Sequence, residues 1–156
     1  MPKKSAGLLL YHDSGSGIEV LLAHPGGPFW RNKDEGSWTI PKGEFDDDED
    51  PFAAARREFH EELGSAAPGG DYLELKPIKQ KNGKMVYAWA IAGEFDPATL
   101  RSNTFSCEWP PKSTRMQEFP EVDRAEWFPA EVARKKILAA QAALIDQLIE
   151  LVTKGR

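Results

Sequence analysis

The stretch that most limits what this chain can fold into is Gly43 to Ser65, GEFDDDEDPFAAARREFHEELGS. A run of acids, Asp46, Asp47, Asp48, Glu49 and Asp50, leads into Pro51. Negative charge complements the positive end of a helix dipole, and proline is tolerated in a first turn, so both features mark a helix start. Gly64 suits the helix end, where a left-handed residue without a side chain is unstrained. At about 100° per residue, Glu58, Glu61 and Glu62 fall within an arc of about 100°, while Phe52, Phe59 and Leu63 share a separate stripe about 40° wide. The predicted helix, about four turns long, therefore packs one side into a core and carries acid on an adjacent side.

Like charges three or four residues apart do nothing to stabilise a helix, so the acid face needs a counterpart. Two readings meet that need. One is a solvated acidic surface. The other is a site for a hard divalent cation, and magnesium in particular is held by a few carboxylates together with substrate phosphates. Arg57, one turn before Glu61, is placed to tether that carboxylate. The order of the residues favours the second reading. Gly43, Glu49, Arg57, Glu58, Phe59, Glu61, Glu62 and Gly64 match, position by position, the signature of the Nudix hydrolases, Gx5Ex7REuxEExGu with u a bulky apolar residue, and on this resemblance the chain is identified as a member. Ser65 departs from the pattern at its last position, where an apolar residue normally helps to seat the helix end.

Bulk properties bound the rest. With 156 residues, 40 % of them hydrophobic, the chain has the size of one globular domain, and a single domain over residues 1–156 is expected. A formal net charge of −5 offers no basic field to duplex nucleic acid. Small phosphate ligands remain compatible, because a cation and a few local Lys or Arg reverse the sign inside a cleft. The one cysteine, Cys107, excludes an internal disulfide and a cysteine-rich zinc site. The opening residues lack a signal-peptide pattern, and no run approaches the roughly 20 apolar residues that span a bilayer. A cytoplasmic protein without a membrane partner is expected, as a monomer or homodimer.

Along the chain, Ala6 to His12 and Ile18 to His24 flank a turn-rich Asp13 to Gly17 and predict a hairpin. His12 and His24 are read as polar strand ends, and His60 as surface. Pro25 to Gly36 is a loop in which Phe29 and Trp30 either stack on a base, with Arg31 or Lys33 at a phosphate, or pin the loop to the body. Ser37 to Ile40 predicts a short strand, and Pro41-Lys42-Gly43-Glu44 a turn whose glycine permits close backbone approach. Tyr72 to Lys81 and Lys84 to Gly93 flank Asn82-Gly83, a strong hairpin signal. On the return strand Val86, Ala88 and Ala90 share a face small enough for a closely packed helix, opposite Tyr87, Trp89 and Ile91. A helical turn or loop over Asp96 to Asn103, strands over Thr104 to Trp109 and Met116 to Phe119, and a last strand ending at Glu126-Trp127-Phe128-Pro129 follow. Helices over Ala130 to Lys136 and Ala140 to Thr153 close the chain, the latter with an apolar stripe of Leu144, Ile145, Leu148, Leu151 and Val152. This order predicts the α/β class, a mixed β-sheet between helices, which is also the αβα sandwich that the resemblance implies.

Phosphoanhydride cleavage needs the phosphate charge neutralised and a water made more acidic, both of which metal ions supply. The resemblance implies hydrolysis of a nucleoside diphosphate linked to another moiety. Nucleoside triphosphates and dinucleoside polyphosphates such as diadenosine tetraphosphate are the expected substrates; the Pro-Lys-Gly-Glu turn and the Phe-Trp loop look similar to members acting on the latter, a likeness that does not by itself set the substrate. It further implies Mg2+ or Mn2+ on Glu58, Glu61 and Glu62, a main-chain carbonyl ligand at Lys42, and Arg57 orienting the helix carboxylates. The Lys42 side chain, with Phe29, Trp30 and Arg31, is a candidate for substrate binding. A general base is required within reach of the water. Either a signature glutamate serves, or an acid ahead of the last strand's tryptophan: Glu121, six residues before Trp127 and a further metal ligand candidate, or its neighbour Glu118. Glu49 is singled out by the signature alone. The alternative is a catalytically silent Nudix-type module that senses or binds a nucleotide; such modules commonly lose signature acids, which this chain retains.

Overall fold

The structure is a computed structural model that describes residues 3–154. Strands β1 (Lys4–Asp13) and β2 (Ile18–Pro25) form the expected hairpin, with Tyr11 opposite Val20 and Asp13 opposite Ile18. Its turn closes through Ser14 N donating to Gly17 O and Gly15 N donating to Asp13 Oδ1. Leu8, Leu9 and Leu10, like Val20, Leu21 and Leu22, are buried without alternation, because both faces of the sheet are covered.

Next come β3 (Lys42–Glu44), α1 (Pro51–Leu63), β4 (Leu73–Glu74), β5 (Ile78–Lys79) and β6 (Met85–Ala92). Strand β6 runs parallel to β1, and with the last strand, β9 (Val122–Pro129), the sheet order is β4-β6-β1-β2-β9, with β3 also on β1 and β5 on β6. β7 (Thr104–Glu108) and β8 (Met116–Pro120) make a separate two-stranded ribbon before β9, α2 (Ala130–Lys136) and α3 (Ala142–Lys154). The sheet is mixed and lies between helices. Along β1 the side chains alternate between two cores: Leu8 and Leu10 join Ala54, Ala55, Phe59 and Leu63 of α1, while Leu9 joins Leu144, Ile145 and Leu148 of α3. Val86, Ala88 and Ala90 belong to the α3 core, as their small size suggests. Among the described residues no helix is long and apolar enough to cross a membrane.

Three local expectations are corrected. Ser37 to Ile40 makes only isolated bridges, Ala23 with Thr39 and Trp38 with Ile137, and the ladder falls on Lys42–Glu44, where a turn is predicted. Pro41 marks the shift: it has no N–H to donate, its carbonyl accepts from Leu8 N, and pairing with β1 begins at the next residue. The second hairpin is present, yet its outgoing strand is split into β4 and β5 and slips by one residue against β6. Pro77 interrupts it, and Gln147 of α3 bonds both the N–H and the carbonyl of Lys76 in place of a strand partner. Leu151 is 42 % exposed, since it stands at the edge of the apolar arc in the last turn, and Ile149 packs instead.

Truncation should separate the two stripes. Phe59→Ala, at a site 1 % exposed, is expected to lower stability by about 3–5 kcal/mol. Leu151→Ala is expected to cost less than about 1 kcal/mol. Urea unfolding midpoints of the two variants check this, and equal losses would contradict the assignment of α1 to the core.

Candidate functional site

Glycine at position 43 decides how the sheet meets α1. A β-carbon there would lie 1.8 Å from Glu58 Oε1, so only a residue without a side chain lets β3 run against the acid face as it stands. Lys42 N donates to Glu62 Oε1 at 3.2 Å rather than to β1. In an antiparallel strand a residue's N–H and C=O point to the same side, so the Lys42 carbonyl also faces away from β1, toward the carboxylates.

The helix is set at both ends. Asp50 Oδ2 accepts from Ala53 N at 2.9 Å, Pro51 occupies the first turn, and Gly64 closes the helix at φ 82° with its N–H on His60 O. Ser65 is not what seats this end. Arg101 N donates to Leu63 O and Asn103 N to Glu61 O, so backbone of the segment 101–103 takes up the last carbonyls. Asn103 O then accepts from Glu121 N at 2.8 Å, and Glu121 O accepts from Gly26 N at 2.9 Å. Through Asn103 the acid between β8 and β9 is tied to α1.

Arg57 holds three signature glutamates at once. Its guanidinium lies 2.6 Å from Glu58 Oε2, 3.3 Å from Glu61 Oε1 and 3.1 Å from Glu49 Oε2. Glu49 thus has a physical role as the outer anchor of the arginine; it also accepts from Asp46 N. Around these groups is a cavity of about 370 Å³ lined by Glu58, Glu61, Glu62 and Glu121, and by Ser5, Lys42, Gly43, Glu44, Lys84 and Asn103. A smaller space of about 160 Å³ shares Lys42, Glu62 and Glu121 and extends to Pro25, where the Phe-Trp loop begins.

The carboxylates show the strain of sharing this space. Burial, then the charge of Glu58, pushes Glu62 up from 4.5 to about 8. Burial and Glu61 raise Glu58 against the pull of Arg57, and burial and Glu61 raise Glu121. Among the described residues no three acidic, histidine or cysteine side chains already converge as a ligand cluster. Glu58 is turned onto Arg57 and Glu62 onto Lys42 N. The donor set is nonetheless all oxygen and short of positive charge, which fits a hard divalent cation.

Other sequence candidates fall outside this cavity. Phe29 is 67 % exposed and meets Trp109 edge-on at 5.9 Å; Trp30 is half-buried and Arg31 exposed, and none of the three lines the cavity. Glu118 lies exposed on β8 opposite Ser106. His24 is not a solvated strand end: it is fully buried, with Nδ1 2.7 Å from Asp123 and Nε2 donating to the Lys33 carbonyl, and so pins the loop. His12 stacks on Trp127 at 3.8 Å between Glu19 and Glu94. His60 is exposed, as expected. Ser5, Lys84 and Asn103 escape sequence reasoning. A lysine after an Asn-Gly turn and a serine at a strand start carry no local signal of a shared cavity.

A mixed sheet between helices, with a glutamate-bearing helix against a glycine in an edge strand, defines a class of protein rather than a substrate. The chain belongs to the Nudix family, whose NUDIX domain model matches residues 1–148. Among solved structures, the C. elegans Ap4A hydrolase binary complex is similar at 20 % identity and a TM-score of 0.64, over 96 % of this chain and 98 % of that one. The NUDIX domain of Shewanella oneidensis NrtR, complexed with ADP ribose, is similar at 17 % and 0.64, over 97 % and 89 %. The E. coli ORF135 protein is similar at 21 % and 0.59, over 96 % and 89 %. At such identities the likeness carries the fold alone. No curated protein matches the chain in sequence.

Stability should follow the protonation of Glu62. The unfolded chain releases this proton near 4.5 and the folded chain keeps it to about 8, so the folded state holds the extra proton in between and rising pH favours unfolding. In chelator, the melting temperature is expected to fall across this window, and Glu62→Gln to flatten the fall. Thermal melts at its two ends check this; an unchanged slope in the variant would refute the burial of this carboxyl.

Proposed function

We propose that this chain is a divalent-cation-dependent pyrophosphohydrolase acting on a nucleoside diphosphate linked to another moiety, with nucleoside triphosphates and dinucleoside polyphosphates as first candidates. The observation that carries the reading is the single cavity lined by Glu58, Glu61, Glu62 and Glu121 with Lys42 and Lys84. Acid for a cation and base for phosphate oxygens face one space. Nudix hydrolases generally use divalent metals. Here Glu58, Glu61, Glu62, Glu121 and the Lys42 carbonyl would hold Mg2+ or Mn2+, which neutralises phosphate oxygens and acidifies water when bound.

The chain's own residues do the rest. Arg57 releases part of its hold on Glu58 and Glu61 as positive charge arrives, and keeps Glu49 as its anchor. The Lys42 ammonium, on a residue that lines the cavity, meets a phosphate oxygen. Glu121, part-exposed and tied to α1 through Asn103, accepts the proton of the attacking water at its carboxylate. Phe29, Trp30 and Arg31 belong to the loop that begins at Pro25, a lining residue of the smaller space, and are the candidates for holding a base; the solved Ap4A hydrolase of like fold keeps dinucleoside polyphosphates on the panel. The alternative, binding without cleavage, draws support from the ADP ribose complex of the NrtR domain. The full set of signature acids favours hydrolysis.

A panel of nucleoside triphosphates, dinucleoside polyphosphates, sugar nucleotides and diphosphoinositols with Mg2+ tests the reading. Glu121→Gln is expected to lower kcat by about 10²–10⁴, with Glu118→Gln within about twofold of the parent and EDTA abolishing turnover. Release of neither phosphate nor a monophosphate from any member, with no Mg2+ bound, would sink the hydrolase assignment. Full activity in Glu121→Gln would sink this base alone.

A further inference from the structure

Three successive backbone groups fix the chain at Glu121. Its N–H donates to Asn103 O at 2.8 Å, and its carbonyl accepts from Gly26 N at 2.9 Å. The next N–H, that of Val122, donates to Ser102 Oγ at 2.9 Å, and the same hydroxyl donates to Asn103 O at 2.8 Å. Ser102 thus receives one N–H of this segment directly, and through its own proton it steadies the carbonyl that receives the other. β9 ends the sheet order, so among the described residues no further strand lies along its outer side. The hydroxyl accepts there what a neighbouring strand's carbonyl would accept. Val122 is buried, and a buried N–H left without an acceptor is costly.

The ladder between β2 and β9 does not by itself decide how the chain enters β9. Pro25 lies opposite Val122 and His24 opposite Arg124, so Asp123 is passed over. A bulge of this kind bends a strand and re-aims the side chains beside it, which leaves the aim of Glu121 to contacts from outside the ladder. Ser102 lines neither the carboxylate cavity nor the smaller space, both of which Glu121 lines. Its proton is committed to Asn103 O, so it has none to offer a substrate. We infer that Ser102 is a positioning residue for Glu121: its hydroxyl, bridging Val122 N and Asn103 O, holds the start of β9 so that the Glu121 carboxylate stands in the cavity. This deepens the hydrolase reading and rests on it for the role of Glu121 as base.

Two readouts test the inference on the full chain. Amide hydrogen exchange, followed by NMR, is compared at Glu121 and Val122 in the parent, in Ser102→Ala and in Ser102→Thr. Exchange at both amides is expected to quicken about tenfold or more in Ser102→Ala relative to the core amide of Leu22, and to stay near the parent in Ser102→Thr, which keeps the hydroxyl. Turnover of the fastest-cleaved member of the panel is then measured at saturating Mg2+. Ser102→Ala is expected to lower kcat by about 10–10² with KM within about threefold, because a small misplacement of a catalytic group costs rate rather than binding. Ser102→Thr is expected to restore kcat to within about threefold of the parent, and Ser102→Ala to cost nothing further in a Glu121→Gln background. Unchanged exchange at Val122, a loss of kcat that persists beside Glu121→Gln, a change in KM alone, or a threonine variant that matches the alanine one in both readouts would each overturn the inference. The two proposals fail separately: a parent that cleaves nothing in the panel loses the hydrolase reading, while the exchange result still decides whether Ser102 holds the segment.

Discussion

The close approach of β3 to α1 at Gly43 is the constraint on which the rest depends. With no β-carbon at 43 to strike Glu58, the open edge of a three-residue strand lies directly against a helix face. Lys42 N–H then caps Glu62, and the Lys42 carbonyl turns the same way. One glycine therefore brings backbone oxygen and carboxylate oxygen to a common space. The pairing of β3 with Ser5–Gly7 fixes the same edge from the other side, so helix, edge strand and central strand are joined in one framework.

Electrostatics sets the second condition. Glutamates on one helix face repel, and burial raises the cost of their charge, which is why Glu62 and Glu58 hold protons more tightly than free glutamate. Arg57 offsets part of this by contacting Glu49, Glu58 and Glu61. Glu62 rests on the Lys42 backbone N–H instead. A site poised in this way is stabilised by added positive charge, and local stability is given up for that capacity. The core stripes beneath, Phe59 and Leu63 on one side and Leu144, Ile145 and Leu148 on the other, carry the fold while the acid face does not.

Much of the fold was legible because it rests on periodicity. The α1 boundaries, the first hairpin and the small-residue face of β6 follow from patterns that neighbouring residues impose on one another. Errors arose where backbone pairing is decided at a distance. Pro41 displaced a strand from Ser37–Ile40 to Lys42–Glu44 because the partner, β1, runs there. Pro77 broke a hairpin strand whose gap a glutamine of α3 fills. His24 looked like a strand end and is a buried pin, since Asp123 and the Lys33 carbonyl reach it only in the folded chain.

By itself the sequence determined the helix, its two faces and its membership of the Nudix family, because a spacing repeated along one element needs no knowledge of what lies across from it. Tertiary structure alone decided what shares the cavity. Glu121 rather than Glu118 lines it, because Asn103 links Glu121 N to the carbonyl end of α1 while Glu118 stays on an exposed ribbon. Ser5 and Lys84 enter it because β1 lies between β3 and β6. The physical reason is common to all three: hydrogen-bonded register joins residues far apart in the chain, and no local pattern records it.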